Sequence, residues 1–222
     1  MKQQGFFFEI KDVVTQFVTA FNDVTINRYN KLREPQEKIK VTYVYAPKQR
    51  VMYDIINKNQ HITLPVIAVN ISGIARDESR VFNKILGSYY STSIDHSLYL
   101  PQPVPINISI DMSIMTKYQT DMDQILSNFV PFTDPYIVIS WKTPPELLPT
   151  TPEIRTEVMW SGNIGMKYPY DLQASTPARV VANTNFTIKS WLFKPIPTEE
   201  PSNIFKITSN FVPVSGFEIN YE

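Results

Sequence analysis

At 222 residues and 43% hydrophobic, the chain is long enough to bury a proper core, and the length suits one domain or one domain with an arm. Its 21 basic and 21 acidic residues cancel, which argues against the strongly basic class that binds nucleic acid through charge. The absence of cysteine excludes disulfides and thiolate metal sites, fits a reducing compartment, and leaves the fold standing on packing alone.

From the N-terminus, Phe6 to Asp23 carries Val13, Phe17 and Phe21 at helical spacing, with Val14 and Val18 beside them, and predicts an amphipathic helix. Val24 to Asn30 and Lys38 to Ala46 alternate like paired strands, and the polar stretch Leu32 to Glu37, with Pro35, reads as the turn of a hairpin. Pro47 suits the start of a helix over Lys48 to Asn57, where Val51, Met52, Ile55 and Ile56 form an apolar stripe. Thr63 to Ala75 predicts a third strand. Arg76 to Pro103 is mixed in character and rich in Ser and Tyr. A connection of that length predicts an arm or binding loop, here one that reaches a neighbouring subunit.

Ile106 to Ile114 alternates strictly between apolar and polar residues and predicts a half-buried strand. The period then changes: Met122, Ile125, Leu126 and Phe129 share a helical face, Thr120 is the expected N-cap, Asp121 and Asp123 suit the positive end of the dipole, and Pro131 closes the helix. A strand running to Trp141 follows. Lys142 to Pro152 holds four prolines in eleven residues and predicts an extended, stiffened segment. More widely, eighteen prolines against six glycines imply long, rigid loops. Ile154 to Trp160 and Arg179 to Phe193 supply two more strands, separated by a loop containing Gly162, Gly165 and Pro169. Residues 1–194 are therefore expected to form a single α+β domain, a mainly antiparallel or mixed sheet of about six or seven strands with two or three packed helices and long projecting loops.

Residues 195–222 read as an extension. Pro195, Pro197 and Pro201 break the chain away from the preceding strand, and Glu199-Glu200 adds a solvated charge pair. Beyond this linker, Ile204 to Phe211 is rich in β-formers, with Phe205, Ile207, Ser209 and Phe211 on one side of an extended chain. Such a segment suits addition to an exposed sheet edge, which makes Phe205, Ile207 and Phe211 candidate partner-binding residues. The competing expectation is that it folds back onto its own sheet.

Several of these stretches stand in a telling order: Ile39 to Lys48 followed by Met52-Tyr53, then Leu64-Pro65, Tyr99 to Pro105, Ser113 to Tyr118, and Asp121-Met122. The order resembles the proximal tail-sheath stabiliser, or tail-completion protein, of T-even-like contractile-tailed bacteriophages, over residues 24–194 and including Trp191 to Pro195. No single motif carries the resemblance; it lies in their number and order. It implies a virion structural protein without catalysis, cofactor or membrane, assembled in the host cytoplasm. The implied form is a ring, hexameric, that terminates the head-proximal end of the tail, holds the last sheath disc and joins tube and sheath to the neck. The implied partners are further copies of itself, the sheath and tube proteins and the neck or head-completion proteins, with passive contact to DNA in the lumen. The chain lacks the long acidic, Pro-rich C-terminal tail of the family pattern, so contacts made by that tail fall outside the resemblance.

Charge is unevenly spread. Residues 1–60 hold ten Lys or Arg against six acids and the remainder eleven against fifteen, giving +4 and −4. Most of the excess comes from Arg28, Lys31, Arg33, Lys38, Lys40, Lys48 and Arg50. It reads either as a solvated strand face and loop or as a patch facing an acidic ring partner or passing DNA, with Arg28, Lys38 and Lys40 as candidate contacts. Sequence-specific nucleic-acid recognition is not expected, because aromatic and basic residues are not interleaved.

Little else points to chemistry. His61 and His96 stand isolated in polar surroundings, with no ligand partner or nucleophile at a recognised spacing. Asp121 and Asp123 lie two apart on a helix, about 200° around its axis, and cannot converge on one bond. Gly162-Asn163-Ile164-Gly165 lacks the Lys-Ser/Thr of a phosphate loop and reads as turn chemistry. The sequons at Asn70, Asn107 and Asn185 fall in predicted strands of a chain that reads as unsecreted. No apolar run reaches the ~20 residues that span a bilayer, so the chain reads as soluble. Twelve Tyr, thirteen Phe and the tryptophans 141, 160 and 191 read as core or subunit packing. Two other classes set different demands: a soluble ligand-binding β-rich module needs an interior cavity, and a carbohydrate hydrolase needs convergent carboxylates ~5 to 9.5 Å apart.

Overall fold

The computed structural model describes residues 6–57, 62–81, 88–91, 97–145, 147, 152–168 and 180–195. In chain order these form α1 (Glu9–Phe21), β1 (Thr25–Tyr29), β2 (Pro35–Lys40), β3 (Thr42–Tyr45), α2 (Lys48–Asn57), β4 (Val66–Arg76), β5 (Ser88–Ser91), β6 (Ser97–Leu100), β7 (Val104–Thr116), α3 (Gln119–Phe132), β8 (Ile137–Lys142), β9 (Glu153–Lys167) and β10 (Val180–Leu192). Six strands make one mixed sheet in the order β3-β4-β7-β10-β9-β8; β1 with β2 and β5 with β6 form two separate two-stranded sheets. The fold is the expected α+β arrangement.

The centre of the sheet follows from the alternation of β7. Ile106, Ile108, Ile110, Met112 and Ile114 are buried on one face, while Asn107, Ser109 and Asp111 are half-buried on the other. β10 pairs with β7 over thirteen residues and β4 flanks its other side, both antiparallel. At one end of the second face, α2 covers Val66, Ala68, Met115 and Val181 with Val51, so Val66 to Val69 is apolar on both sides. This helix is also the crossover that makes β3 and β4 parallel.

The main core fills the first face. Val13 and Phe17 of α1, Met122 and Ile125 of α3, and Phe186 of β10 are each at most 1% exposed. Phe186 touches Phe17, Phe21 and Phe129, with ring centroids 5.2, 5.6 and 5.7 Å away, so one strand residue joins both helices to the sheet. The sheet curls, and α1 lies across its open side, packed on β8 and β10 while Val14 and Val18 approach Tyr43 and Tyr45 of β3.

Several local expectations are corrected. The β1–β2 hairpin turns over Asn30–Glu34, where the Asn30 side-chain oxygen accepts from the Leu32 and Glu34 amides; Pro35 lies in β2, tolerated in a two-stranded sheet where one side of each strand is free. The run Lys38 to Ala46 is two strands in two sheets, divided at Val41, whose amide donates to the Val24 carbonyl. The long stretch after β4 is not structureless, since β5 and β6 pair as an antiparallel ribbon. The helix α3 starts before Thr120, with Tyr118 as its N-cap and no side-chain cap, and Pro131 sits inside its last turn, where it removes one backbone donor, and does not close the helix ahead of itself. The two ends of the Pro-rich segment meet: Thr143 donates through both its amide and its hydroxyl to the Pro152 carbonyl, and Leu147 is buried. Gly162 and Gly165 lie within β9. Asn185 there faces the bulge between the pairs Thr184–Ile164 and Phe186–Trp160, and Gly162, at φ 74°, supplies the turn of backbone it needs. The Thr184 hydroxyl fills the bulge, accepting from Trp160 Nε1 at 2.6 Å and donating to the Asn163 carbonyl at 2.8 Å.

One polar clasp ties three strands. Asp77, following β4, accepts from the Ser79 amide and hydroxyl and from Arg80 Nε, the last at 2.7 Å. Arg80 in turn donates to the Ile106 carbonyl and Asn107 Oδ1 of β7 and lies 4.9 Å over the Trp191 ring of β10. The Ser79 and Arg80 hydrogen bonds hold the Asp77 carboxyl well below the usual carboxylate range.

Two measurements check this account. Phe129→Ala removes a ring that contacts Phe21, Trp160 and Phe186 and should cost ~3 to 5 kcal/mol in denaturant unfolding. The Asp77 carboxylate, with its folded pKa lowered, adds stability above the unfolded value of about 3.9 and loses that contribution as pH falls through the folded value. Asp77→Asn should therefore lower the melting temperature at neutral pH and flatten its decline between about pH 5 and pH 2.

Candidate interaction surface

Among the described residues no three His, Cys, Asp or Glu side chains are placed to hold a metal ion, and no helix is long and apolar enough to cross a membrane. His61 and His96 lie outside the described residues. Asp121 and Asp123 diverge as helical spacing requires. Asp123 is exposed and accepts from Gln119 Nε2 at 2.8 Å, while Asp121 is 3% exposed, so the second carboxylate serves the core side of the helix. Burial pushes the Asp121 carboxyl up, opposed by the charge of Arg28. It lies at a recess of ≈ 290 Å³ between α3 and β1, where the Gln124 amide pairs with both the N–H and the carbonyl of Asn27 at 2.9 Å.

The β1–β2 ribbon divides the candidate basic contacts. Cross-strand partners share a face, so Arg28 stands with Glu37, Ile26 and Ile39, and Lys38 and Lys40 stand on the opposite face beside Asn27 and Thr25. Arg28 is held in place, 3.5 Å from Glu37 and 5.4 Å over the Tyr118 ring. Lys38 and Lys40 are exposed. The three residues therefore do not form one patch.

The sheet edges differ in kind. Along β8, a polar recess of ≈ 350 Å³ separates the strand from α1 and is lined by Asp12, Gln16, Ser140, Lys142 and Glu153 among others. Along β3, an apolar groove of ≈ 600 Å³ runs between the strand and α1, with Ile10, Val14 and Val18 on the helix and Tyr43 and Tyr45 on the strand. Its mouth is formed by Phe6, 76% exposed, and Tyr45, 60% exposed. Burial in the groove wall, with a smaller push from Asp23, raises the Tyr43 hydroxyl far above its ordinary range, so it stays neutral. β3 bonds only to β4 among the described residues, leaving its outer backbone edge without a partner strand. Val14 and Val18 signalled this groove as a second apolar row on α1, but nothing in the sequence placed β3 opposite them. Phe205, Ile207 and Phe211 lie outside the described residues.

A family model described as "T4-like virus Myoviridae tail sheath stabiliser" matches residues 8–218, beyond the resemblance at both ends. No curated protein matches the sequence. Among solved structures, the chain is similar to the PVC sheath/tube terminator of an extracellular contractile injection system in its extended state, seen by cryo-EM, at 11% identity and a TM-score of 0.44. That match covers 98% of this chain and 66% of the other, so the chain spans just under two thirds of its length.

Substitution separates the residues that hold this surface together from those free to bind. Arg28→Ala loses the ring contact and the exposed ion pair and should cost about 0.5 to 1 kcal/mol in denaturant unfolding. Lys38→Ala with Lys40→Ala should change stability by less than about 0.5 kcal/mol, as exposed side chains without partners do.

Proposed function

The chain belongs to the tail sheath stabiliser family of T4-like viruses, a structural component of the virion tail, and from that premise we propose that it is the ring-forming terminator of a contractile tail. In this reading a closed homohexamer sits at the head-proximal end, holds the last sheath disc and the tube, and joins them to the neck proteins after assembly in the host cytoplasm. The work is interface formation, and no residue takes a catalytic part. The observation that carries the reading is the family match, which runs through the sheet, the helices and most of the extension as one unit. The two dissimilar edges support it, because a heterologous contact between unlike surfaces closes into a ring when its rotation allows. Lys38 and Lys40, outward on β2, are the residues proposed to meet an acidic ring neighbour or the DNA of the lumen.

Microscopy of the purified chain and of assembled tails tests the ring. The expected image is an annulus with a central hole at the head-proximal end of the tail, and light scattering of the isolated chain should report whether closure needs the tail. A chain that is monomeric in both settings overturns the proposal.

A further inference from the structure

The groove between α1 and β3 has the features of a strand-accepting site. One wall is an apolar helix row, the other a strand with a free backbone edge, and Ile10 to Thr19 spans roughly 14 Å along the helix axis. A strand of four or five residues covers that length. The chain carries such a segment outside the described residues. Ile204 to Phe211 places Phe205, Ile207, Ser209 and Phe211 on one side and Ile204, Lys206, Thr208 and Asn210 on the other, so a mainly apolar side meets the groove floor and a mainly polar side meets solvent.

The exit of the chain indicates whose segment fills the groove. After β10, the Phe193 amide donates to Glu9 Oε1 at 2.9 Å and the Phe193 ring packs 6.2 Å from Trp141 of β8. The chain thus leaves at the N-terminus of α1, on its β8 side, while the groove lies on its β3 side. Only the width of one helix, roughly 10 Å, separates them. The linker from Lys194 to Ile204 contains Pro195, Pro197 and Pro201, and at about 3.1 Å per residue a stiffened stretch of that length reaches roughly 30 Å. Such a spacer is longer than its own groove requires and long enough to reach one on a neighbour.

We infer that part of the segment 204–211 of one copy adds as a strand to the β3 edge of the next copy, seating two successive members of its apolar row, Phe205 and Ile207, against Ile10, Val14 and Val18. The inference rests on the ring reading and assigns the contact that closes it. Because every copy both donates and accepts, the exchange is head-to-tail and ends without a free groove only when the ring is complete.

The natural absence of cysteine allows thiols to be placed without background. Full-length Tyr45→Cys and Ile207→Cys variants are mixed and oxidised, with Phe205→Cys and Phe211→Cys as alternative donors to allow for register. The expected result is a covalent pair of chains formed far more in the mixture than in either variant alone. A chain carrying both Tyr45→Cys and Ile207→Cys should give a ladder of multiples. A bridge confined to single chains overturns the exchange and returns the segment to its own sheet. Rings in the microscope without any cross-link overturn the groove contact and leave the ring standing; neither rings nor cross-links overturn both. In parallel, full-length Phe205→Asp with Ile207→Asp should melt as the unaltered isolated chain does but fail to form rings, and a lowered melting temperature in that isolated state overturns the inference. So does native mass spectrometry of the unaltered chain if a small apolar molecule is found filling the site.

Discussion

The fold is organised around a gap. A six-stranded sheet that curls without closing leaves β3 and β8 as its two edges with no hydrogen bonds between them, and α1 packs on β8 and borders the groove along β3. A fully bonded barrel would have abolished its edges. Closing the curl with a helix instead seals the apolar interior through Val13, Phe17 and Phe21 while keeping both edges available to other chains. The position of α1 is in turn fixed by aromatic contact with Phe186 of β10 and Phe129 of α3, so the core and the surface depend on the same few rings.

That arrangement explains why the two edges can serve different purposes. The β8 side is lined by charged and polar side chains, which favours contacts that form and break in water; the β3 side is apolar, and its exposed Phe6 and Tyr45 gain from being covered. A protein with two alike edges would pair edge to edge with itself in either direction. Unlike edges give polarity, and polarity is what an assembly stacked along one axis requires.

The long elements were legible because periodicity reports them directly. The strict alternation in β7 and the apolar stripe of α2 set their type and nearly their limits, and Val13, Phe17 and Phe21 marked the buried side of α1. The failures have physical causes. Ile39, Val41, Tyr43 and Tyr45 continue one alternation through the point where the chain passes from one sheet to another, so pattern alone hides the break. Gly162 and Gly165 look like punctuation, yet a bulge anchored by Thr184 absorbs them within a strand. Tyr118 begins α3 without a side-chain cap, so the capping signal at Thr120 pointed two residues too late. Asp121 was readable as a residue of the first turn, but its burial depends on β1, almost a hundred residues earlier in the chain. The groove is of the same kind: its helix wall was visible, and its strand wall was set by a topology that local spacing does not encode.

The thirteen-residue pairing of β7 with β10 also has a mechanical meaning. Tension applied along these strands, in opposite directions on the two, loads their hydrogen bonds in shear, so many must yield together. β3, held to β4 over only four residue pairs, is the weak link by the same reasoning. A pull entering through the β3 edge would peel that strand away while the β7–β10 seam stayed intact. The molecule therefore combines a stiff spine with a compliant rim, and a pull on the β3 edge would be taken up at the rim before it reached the Arg80 clasp at the far end of the spine.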